Sequence, residues 1–257
     1  MHVVILAAGK GTRMKSGLPK VLHPMAGLTI IERVLRTAAT LDPTSVTVVV
    51  GHGADPVRAS LKGVTGMPLQ FVTQEHQLGT GHALLQARPH LEGKTGTVVL
   101  LSGDAPLLTG ATLQALLAAH AEAAAAATVI TANFPRPFGY GRIVRTAGRI
   151  SKIVEERDAS DVQRKITEIN SGIYAFALEP LFKALDAIGT ANKQGEYYLP
   201  DLVAIYRKQR KPVATHTVAW ADEIRGINSR TELAEVSRMV RQQKNEELMA
   251  AGVTLID

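Results

Sequence analysis

Short apolar runs alternate along the first hundred residues with stretches in which apolar side chains recur every three or four positions. His2–Ala7, Val46–Val50, Leu69–Thr73 and Thr97–Leu101 are short and rich in Val, Ile or Leu, as parallel strands buried on both faces are. Between them, Thr29–Leu41, Asp55–Leu61 and Gly81–Leu91 carry the helical period. In the first of these Ile30, Ile31, Val34, Leu35 and Ala38 fall on one face, with Glu32, Arg33 and Arg36 opposite. This βαβ alternation predicts an α/β, Rossmann-like architecture, a mostly parallel sheet flanked by helices with right-handed crossovers. Ligands of such sheets bind outside the carboxyl ends of the strands.

The second half reads differently. Thr109–Ala127 is dense in alanine, and a helix along its whole length accounts for that, with Leu113, Leu116 and Leu117 on a shared face. "GYGRIVRTAGRISKIVEER" predicts a hairpin turning at Thr146–Gly148. Helices are expected at Leu178–Ile188 and Leu199–Gln209, and a strand at Val213–Val218. Ser229–Ala250 predicts one long helix. Ser229 and Glu232 match the capping-box spacing, Leu233, Val236, Met239 and Val240 form a stripe, and Gly252 is placed to end it. The expected organisation is a domain over 1–228 with a pocket-forming insertion at about 135–175, followed by the long helix and tail at 229–257.

Composition narrows the class. With 46% hydrophobic residues the chain can bury a substantial core, and no apolar run approaches the ~20 residues a membrane helix needs. The N-terminus enters a strand directly, without the pattern of a signal peptide, so a cytoplasmic location is expected. The absence of cysteine excludes disulfides, thiolate nucleophiles and Cys-ligated metal. A formal charge of +6 points to an anionic partner. Basic residues are spread out and aromatics reach only 4%, so no stacking platform for nucleic acid is expected.

The candidate chemistry begins at "LAAGKGTRMKSGLPK", Leu6 to Lys20. A Walker A loop requires Gly, four residues, then Gly-Lys-Ser/Thr, and a dinucleotide fingerprint requires glycine where Met14 stands; neither is present. Yet a buried strand ends in Ala7, Ala8 and Gly9, small enough for a flat base to approach the backbone. Successive N–H groups from Gly9 to Arg13 can cradle a polyphosphate, with Arg13 and Lys20 adding charge. A nucleoside triphosphate loop is the expectation.

"LAAGKGTRM" followed by "LPKVL" resembles the signature of the sugar-1-phosphate nucleotidyltransferases. Further along, "QEHQLGTGHA", "SGDAPLL", "FGYGRI", "IVEERDAS", "EINSGIYAF", "QGEYYLPD" and "GINSR" follow in the order seen in bacterial N-acetylglucosamine-1-phosphate uridylyltransferases. The resemblance implies transfer of UMP from UTP to N-acetylglucosamine-1-phosphate, giving UDP-N-acetylglucosamine and pyrophosphate for cell-envelope precursor synthesis. It implies that Arg13 stabilises the departing pyrophosphate and that Lys20 contacts phosphate oxygens. By the same resemblance Asp104 and Asn228 hold Mg²⁺, an ion whose preference for hard oxygen ligands they satisfy. Leu6, Ala7, Ala8, Gly9, Gln74, Gly79, Thr80, Ser102 and Gly103 would surround the nucleotide, with Gln74 pairing to the uracil edge. Gly141, Glu155 and Asn170 would contact the sugar.

Some positions depart from the pattern. Pro200 stands where the family more often has threonine, in a segment expected to line the sugar pocket, and Ser102 replaces an aromatic residue of some members. The hexapeptide repeats of the acetyltransferase β-helix that trimerises bifunctional members are absent, so acetyl transfer is not expected and a monomer is. None of the eight histidines shows ligand spacing or a Ser/Asp partner, and none is read as catalytic. Two alternatives stay open: another sugar-1-phosphate or nucleotide, such as glucose-1-phosphate with UTP or dTTP, and a nucleotide-sugar binding module without turnover. The second predicts damage to Arg13, Lys20, Asp104 or Asn228, all of which are intact.

Overall fold

In the computed structural model, which describes residues 1–256, the early apolar runs become strands close to their expected bounds. β1 (His2–Ala7) leads through a long loop and two short strands, β2 (Pro24–Met25) and β3 (Leu28–Thr29), into α1 (Ile30–Ala39). β4 (Ser45–Val50), α2 (Ala54–Leu61) and β5 (Leu69–Thr73) follow, then α3 (Thr80–Leu85), α4 (Arg88–Leu91) and β6 (Thr97–Ser102). The second half adds α5 (Gly110–Glu122), β7 (Ala127–Asn133), β8 (Arg142–Thr146), β9 (Arg149–Val154), α6 (Asp161–Arg164) and β10 (Glu168–Ala177). It closes with α7 (Leu178–Leu185), α8 (Asp201–Lys208), β11 (Val213–Thr217) and α9 (Arg230–Ala250).

The main sheet runs β11-β7-β10-β6-β1-β4-β5, with the β8–β9 hairpin attached to β10. β5, β4, β1 and β6 are parallel, β10 runs antiparallel between β6 and β7, and β11 is parallel to β7. The chain steps from β1 outward to β4 and β5, then returns to the other side of β1 as β6. That reversal opens a crevice at the carboxyl ends of β1 and β6, where ligands of doubly wound sheets sit.

Alternation along each strand divides the core between two layers. Val3, Ile5 and Ala7 of β1 face α1, α2 and α5, whose Ile31, Leu35, Leu61 and Leu113 are fully buried. Val4 faces the other layer, built on Leu84, Leu91, Leu181, Leu202 and Tyr206. A smaller third cluster joins Met25, Ile30, Leu107 and Ile227 to Val236, flanked by Leu233, Met239 and Val240, the stripe expected on α9.

Two helices depart most from their expected extents. The alanine run does not stay helical to Ala127: α5 stops at Glu122, Ala124 turns to φ +42°, and Ala127 opens β7. Ala126 donates to Pro212 O at 2.8 Å and accepts from Ala177 N at 3.0 Å, so sheet pairing overrides helix propensity there. The stretch expected as one helix from Gly81 to Leu91 is divided into α3 and α4. Pro89 has no N–H for the carbonyl of Leu85, and the ladder breaks.

Candidate functional site

Three segments far apart in sequence meet over the crevice. The loop after β1 turns through Gly11, at φ +62°, where a Cβ would lie 2.6 Å from Lys20 Cβ; glycine lets the loop fold back on that lysine. From there Lys20 Nζ donates to Asp104 Oδ2 at 2.5 Å and to Asn228 Oδ1 at 2.9 Å. Asp104 lies just beyond β6. Asn228 immediately precedes the capped start of α9, and Ile227 N donates to Asp104 O at 2.9 Å to tie the two turns together. One carboxylate and one amide oxygen thus converge on a single cationic group. Hard oxygen donors in that arrangement suit a divalent cation whose remaining ligands are water and phosphate oxygens. Among the described residues no cluster of three or more His, Asp or Glu offers an all-protein metal site.

Beside this pair lies a cavity of about 280 Å³, whose walls include Leu6, Ala7, Ala8, Gly9, Lys20, Gln74, Gly79, Thr80, Ser102 and Asp104. Gly103 supports the wall from behind, its N–H donating to Leu6 O at 2.9 Å. Gly79 has φ +106°, and a Cβ there would stand 2.6 Å from Tyr197 O, so only glycine lets α3 begin against the loop backbone at Tyr197. Gln74 is buried, its Nε2 donating to Gly79 O at 3.1 Å and lying 3.0 Å from His82 Nδ1.

A second cavity of about 190 Å³ adjoins the first and shares Leu6, Thr80 and Ser102 with it. Here the structure brings together Gly141, Glu155 and Asn170, with Tyr140, Tyr174 and Pro200 completing the walls. Asn170 Oδ1 accepts from Gly172 N at 3.0 Å and from Tyr174 Oη at 2.8 Å, which leaves its amide N–H groups free to donate. Burial pushes the Glu155 carboxyl up to about 7, reinforced by the negative charges of Asp201, Asp158 and Glu196 and opposed by Arg142. Arg142 itself is buried, bonded to Tyr140 O and at 2.7 Å to Glu156 Oε2, which also accepts from Gly139 N at 3.2 Å. This clasp holds the turn before Gly141 against the end of β9.

Arg13 is the expected site residue that the structure keeps apart. It is exposed in a short turn of 3₁₀ helix, Thr12–Met14, and lines a wider recess of about 960 Å³ with Phe138, Glu155 and Arg157 rather than the 280 Å³ cavity. Asn228 also lies outside both cavity walls and joins the site through Lys20. Residues that pattern reading passed over are Gln77, whose Nε2 donates to Ala8 O at 2.7 Å, and His82. Gln77 stands in the quoted "QEHQLGTGHA" motif, but no spacing rule singles it out.

A cavity at the switch point of a doubly wound sheet, with a lysine and an aspartate in its wall and an asparagine bonded to that lysine, fits a nucleotidyl-transferring class. The chain belongs to the MobA-like NTP transferase domain family, whose profile matches residues 3–246. Among individual relatives it is similar to the bifunctional protein GlmU of Streptococcus suis, at 45% identity over 257 residues, and of Syntrophotalea carbinolica, at 49% over 257 residues. All of this chain aligns with 55% of each, so it spans about half the length of the curated relatives it matches. In fold it is also similar to a Bacillus anthracis protein described as a glucose-1-phosphate thymidylyltransferase, crystallised with sucrose. The TM-score is 0.73 at 18% identity, covering 93% of this chain and 94% of that one.

Proposed function

We propose that the chain transfers UMP from UTP to N-acetylglucosamine-1-phosphate, releasing pyrophosphate and forming UDP-N-acetylglucosamine. The observation that carries this reading is the pair of adjoining cavities with Lys20, Asp104 and Asn228 beside them. The GlmU relatives and the motif resemblance support the choice of uracil and of the N-acetylated sugar. In this reading Leu6–Gly9 and Gln74–Thr80 take the nucleoside, and Gly141, Glu155 and Asn170 take the sugar. An oxygen of the sugar phosphate attacks the α-phosphorus in line as the bond to the β-phosphate oxygen breaks. Alignment and charge neutralisation are the protein's share of such a step. Lys20 sits where it can hold phosphate oxygens of both partners, and Arg13, on its exposed turn, neutralises the departing pyrophosphate.

Asp104 and Asn228 would hold Mg²⁺, which when bound neutralises phosphate charge. Pro200 offers no hydroxyl or N–H to the sugar cavity, so polar contacts to the sugar come from its other lining groups, Asn170 and Glu155 foremost. We take the protein to act in the cytoplasm, apart from nucleic acid; among the described residues no helix is long and apolar enough to cross a membrane. A monomer and a catalytic domain over 1–228, with its sugar pocket at about 135–175, are the working description.

Pyrophosphate release from UTP and Mg²⁺, measured with N-acetylglucosamine-1-phosphate and with glucose-1-phosphate, tests the reading. Turnover is expected with the N-acetylated sugar and is expected to fall by ~10²–10³ or more in Asp104→Ala and Lys20→Ala, the range typical for removing one charge-stabilising group. Turnover confined to glucose-1-phosphate would refute the sugar assignment, and tight UTP binding without turnover would refute the enzyme assignment.

A further inference from the structure

We propose that His82 is a positioning residue for base selection: by accepting a hydrogen bond at Nδ1 it holds the Gln74 amide with its oxygen toward the nucleotide cavity. That selects uracil over cytosine. The inference rests on the reading of this cavity as a UTP site and adds to it the group that sets the cavity's hydrogen-bonding sense.

The argument starts from the two ends of the Gln74 amide. Its nitrogen donates to Gly79 O at 3.1 Å, and a carbonyl accepts only, so the amide cannot turn over without setting two oxygens against each other. The second N–H of the same nitrogen meets His82 Nδ1 at 3.0 Å. Both donors are then used inside the protein. The oxygen has no protein partner, is not among the buried atoms left orphaned, and belongs to a side chain on the cavity wall. Gln74 is held in depth as well, because its backbone N–H donates to Val50 O at 2.8 Å.

A neutral imidazole has one donor and one acceptor nitrogen. If Nδ1 accepts from Gln74, Nε2 carries the proton and faces the Gln86 side chain, 3.2 Å away. Gln86 is half-buried at the end of α3, and its Nε2 also donates to His82 O at 3.1 Å. Water can replace that contact when the side chain turns its amide oxygen to the imidazole proton, whereas Gln74 is buried and has no such substitute. Of the two glutamines it is therefore Gln74 that dictates the tautomer of His82.

The consequence for ligands follows from the ring edges. N3 of uracil carries a proton and donates to an inward-facing amide oxygen. N3 of cytosine is a lone pair, and would oppose that oxygen with both groups desolvated. A site built to accept from a ligand rejects the analogue that cannot donate by leaving an acceptor unpaired. Without the acceptor at His82 Nδ1, only the Gly79 carbonyl opposes a turn of the Gln74 amide, and presenting its N–H groups to cytosine costs less.

The test compares kcat/KM for UTP and for CTP in the full chain, with N-acetylglucosamine-1-phosphate as acceptor. The wild type is expected to favour UTP. His82→Phe, which keeps a ring of similar size beside Tyr197 and loses the acceptor, is expected to lower the UTP-to-CTP ratio about tenfold or more. His82→Asn, whose side-chain oxygen stands near the position of Nδ1, is expected to restore most of it. An unchanged ratio in His82→Phe, or an equal fall for both nucleotides, overturns the role of His82 while leaving the UTP reading standing. A wild type that does not use UTP overturns both. Independently of any variant, nitrogen NMR of the wild-type imidazole reads the tautomer: protonation at Nε2 agrees with the proposal, and protonation at Nδ1 overturns it.

Discussion

Glu155 shows how much of a residue's chemistry depends on neighbours that sequence distance hides. Strand alternation by itself does not set it apart from a surface acid, and only the motif resemblance marks it; the structure half-buries it in the 190 Å³ cavity with Asp201, Asp158 and Glu196 near enough to oppose its charge. A carboxyl raised to about 7 in the folded protein keeps its proton through a range in which the unfolded chain, near pH 4.3, has already lost it. The folded state then binds more protons, so this group's contribution to stability is greatest below about pH 4 and declines as pH rises to about 7. Glu155→Gln removes that slope. Its stability relative to wild type is expected to improve between pH 5 and 8 by roughly 1–3 kcal/mol, read from urea unfolding at several pH values. A difference that stays flat with pH would mean that Glu155 ionises like an exposed acid. The grouping of Gly141, Glu155 and Asn170 was legible through motif resemblance, because each is carried in a quoted block. His82 and Gln77 also stand in a quoted block, but their contacts were not legible there, since they are made with a carbonyl or an amide to which no motif rule links them.

Elements whose ends are fixed by local chemistry were the readable ones. Ser229 and Glu232 mark the start of α9 by their spacing, and the structure shows the reciprocal pair: Glu232 N donates to Ser229 Oγ at 3.2 Å and Glu232 Oε2 accepts from Ser229 N at 3.1 Å. The same carboxylate oxygen accepts from Asn228 N at 2.6 Å. The cap therefore also orients the asparagine that shares Lys20 with Asp104. Glu232→Ala is expected to cost about 1 kcal/mol in stability, as the loss of a helix cap does. It is also expected to raise the Mg²⁺ concentration needed for half-maximal turnover by several-fold. Thermal melts and Mg²⁺ titrations of activity separate the two effects, and a variant that melts lower with an unchanged Mg²⁺ dependence would confine Glu232 to the helix. By contrast, the end of α5 could not be read from its alanines, because Ala126 bonds to Pro212 and Ala177, partners far along the chain at the ends of β11 and β10. The break between α3 and α4 was legible in principle from Pro89, and the helical period around it masked the signal.

At the scale of the whole molecule, the site depends on a join between its first and last segments. The parallel core, predicted from apolar runs, builds the crevice at the ends of β1 and β6. Asn228 reaches it only because α9 is anchored across the edge of the fold, with Val236 fully buried among Met25, Ile30, Leu107 and Ile227. Arg230 adds a tie to the loop after β1, its Nε donating to Met14 O at 2.9 Å. Beyond Val240 the helix is almost wholly exposed, from Arg241 to Ala250. Its two halves are therefore expected to behave differently. Val236→Ala removes two buried methyl groups and should cost roughly 1–3 kcal/mol, a fall of several degrees in Tm for a chain of this size. Because the same cluster holds Ile227 next to Asn228, turnover at limiting Mg²⁺ should fall with it. Ending the chain after Gln242 takes away little buried surface and should leave both quantities close to wild type. If that truncation instead lowers Tm as much as Val236→Ala does, the exposed half of α9 carries stability that its packing in this fold does not explain, and the anchoring role assigned to the third cluster is wrong.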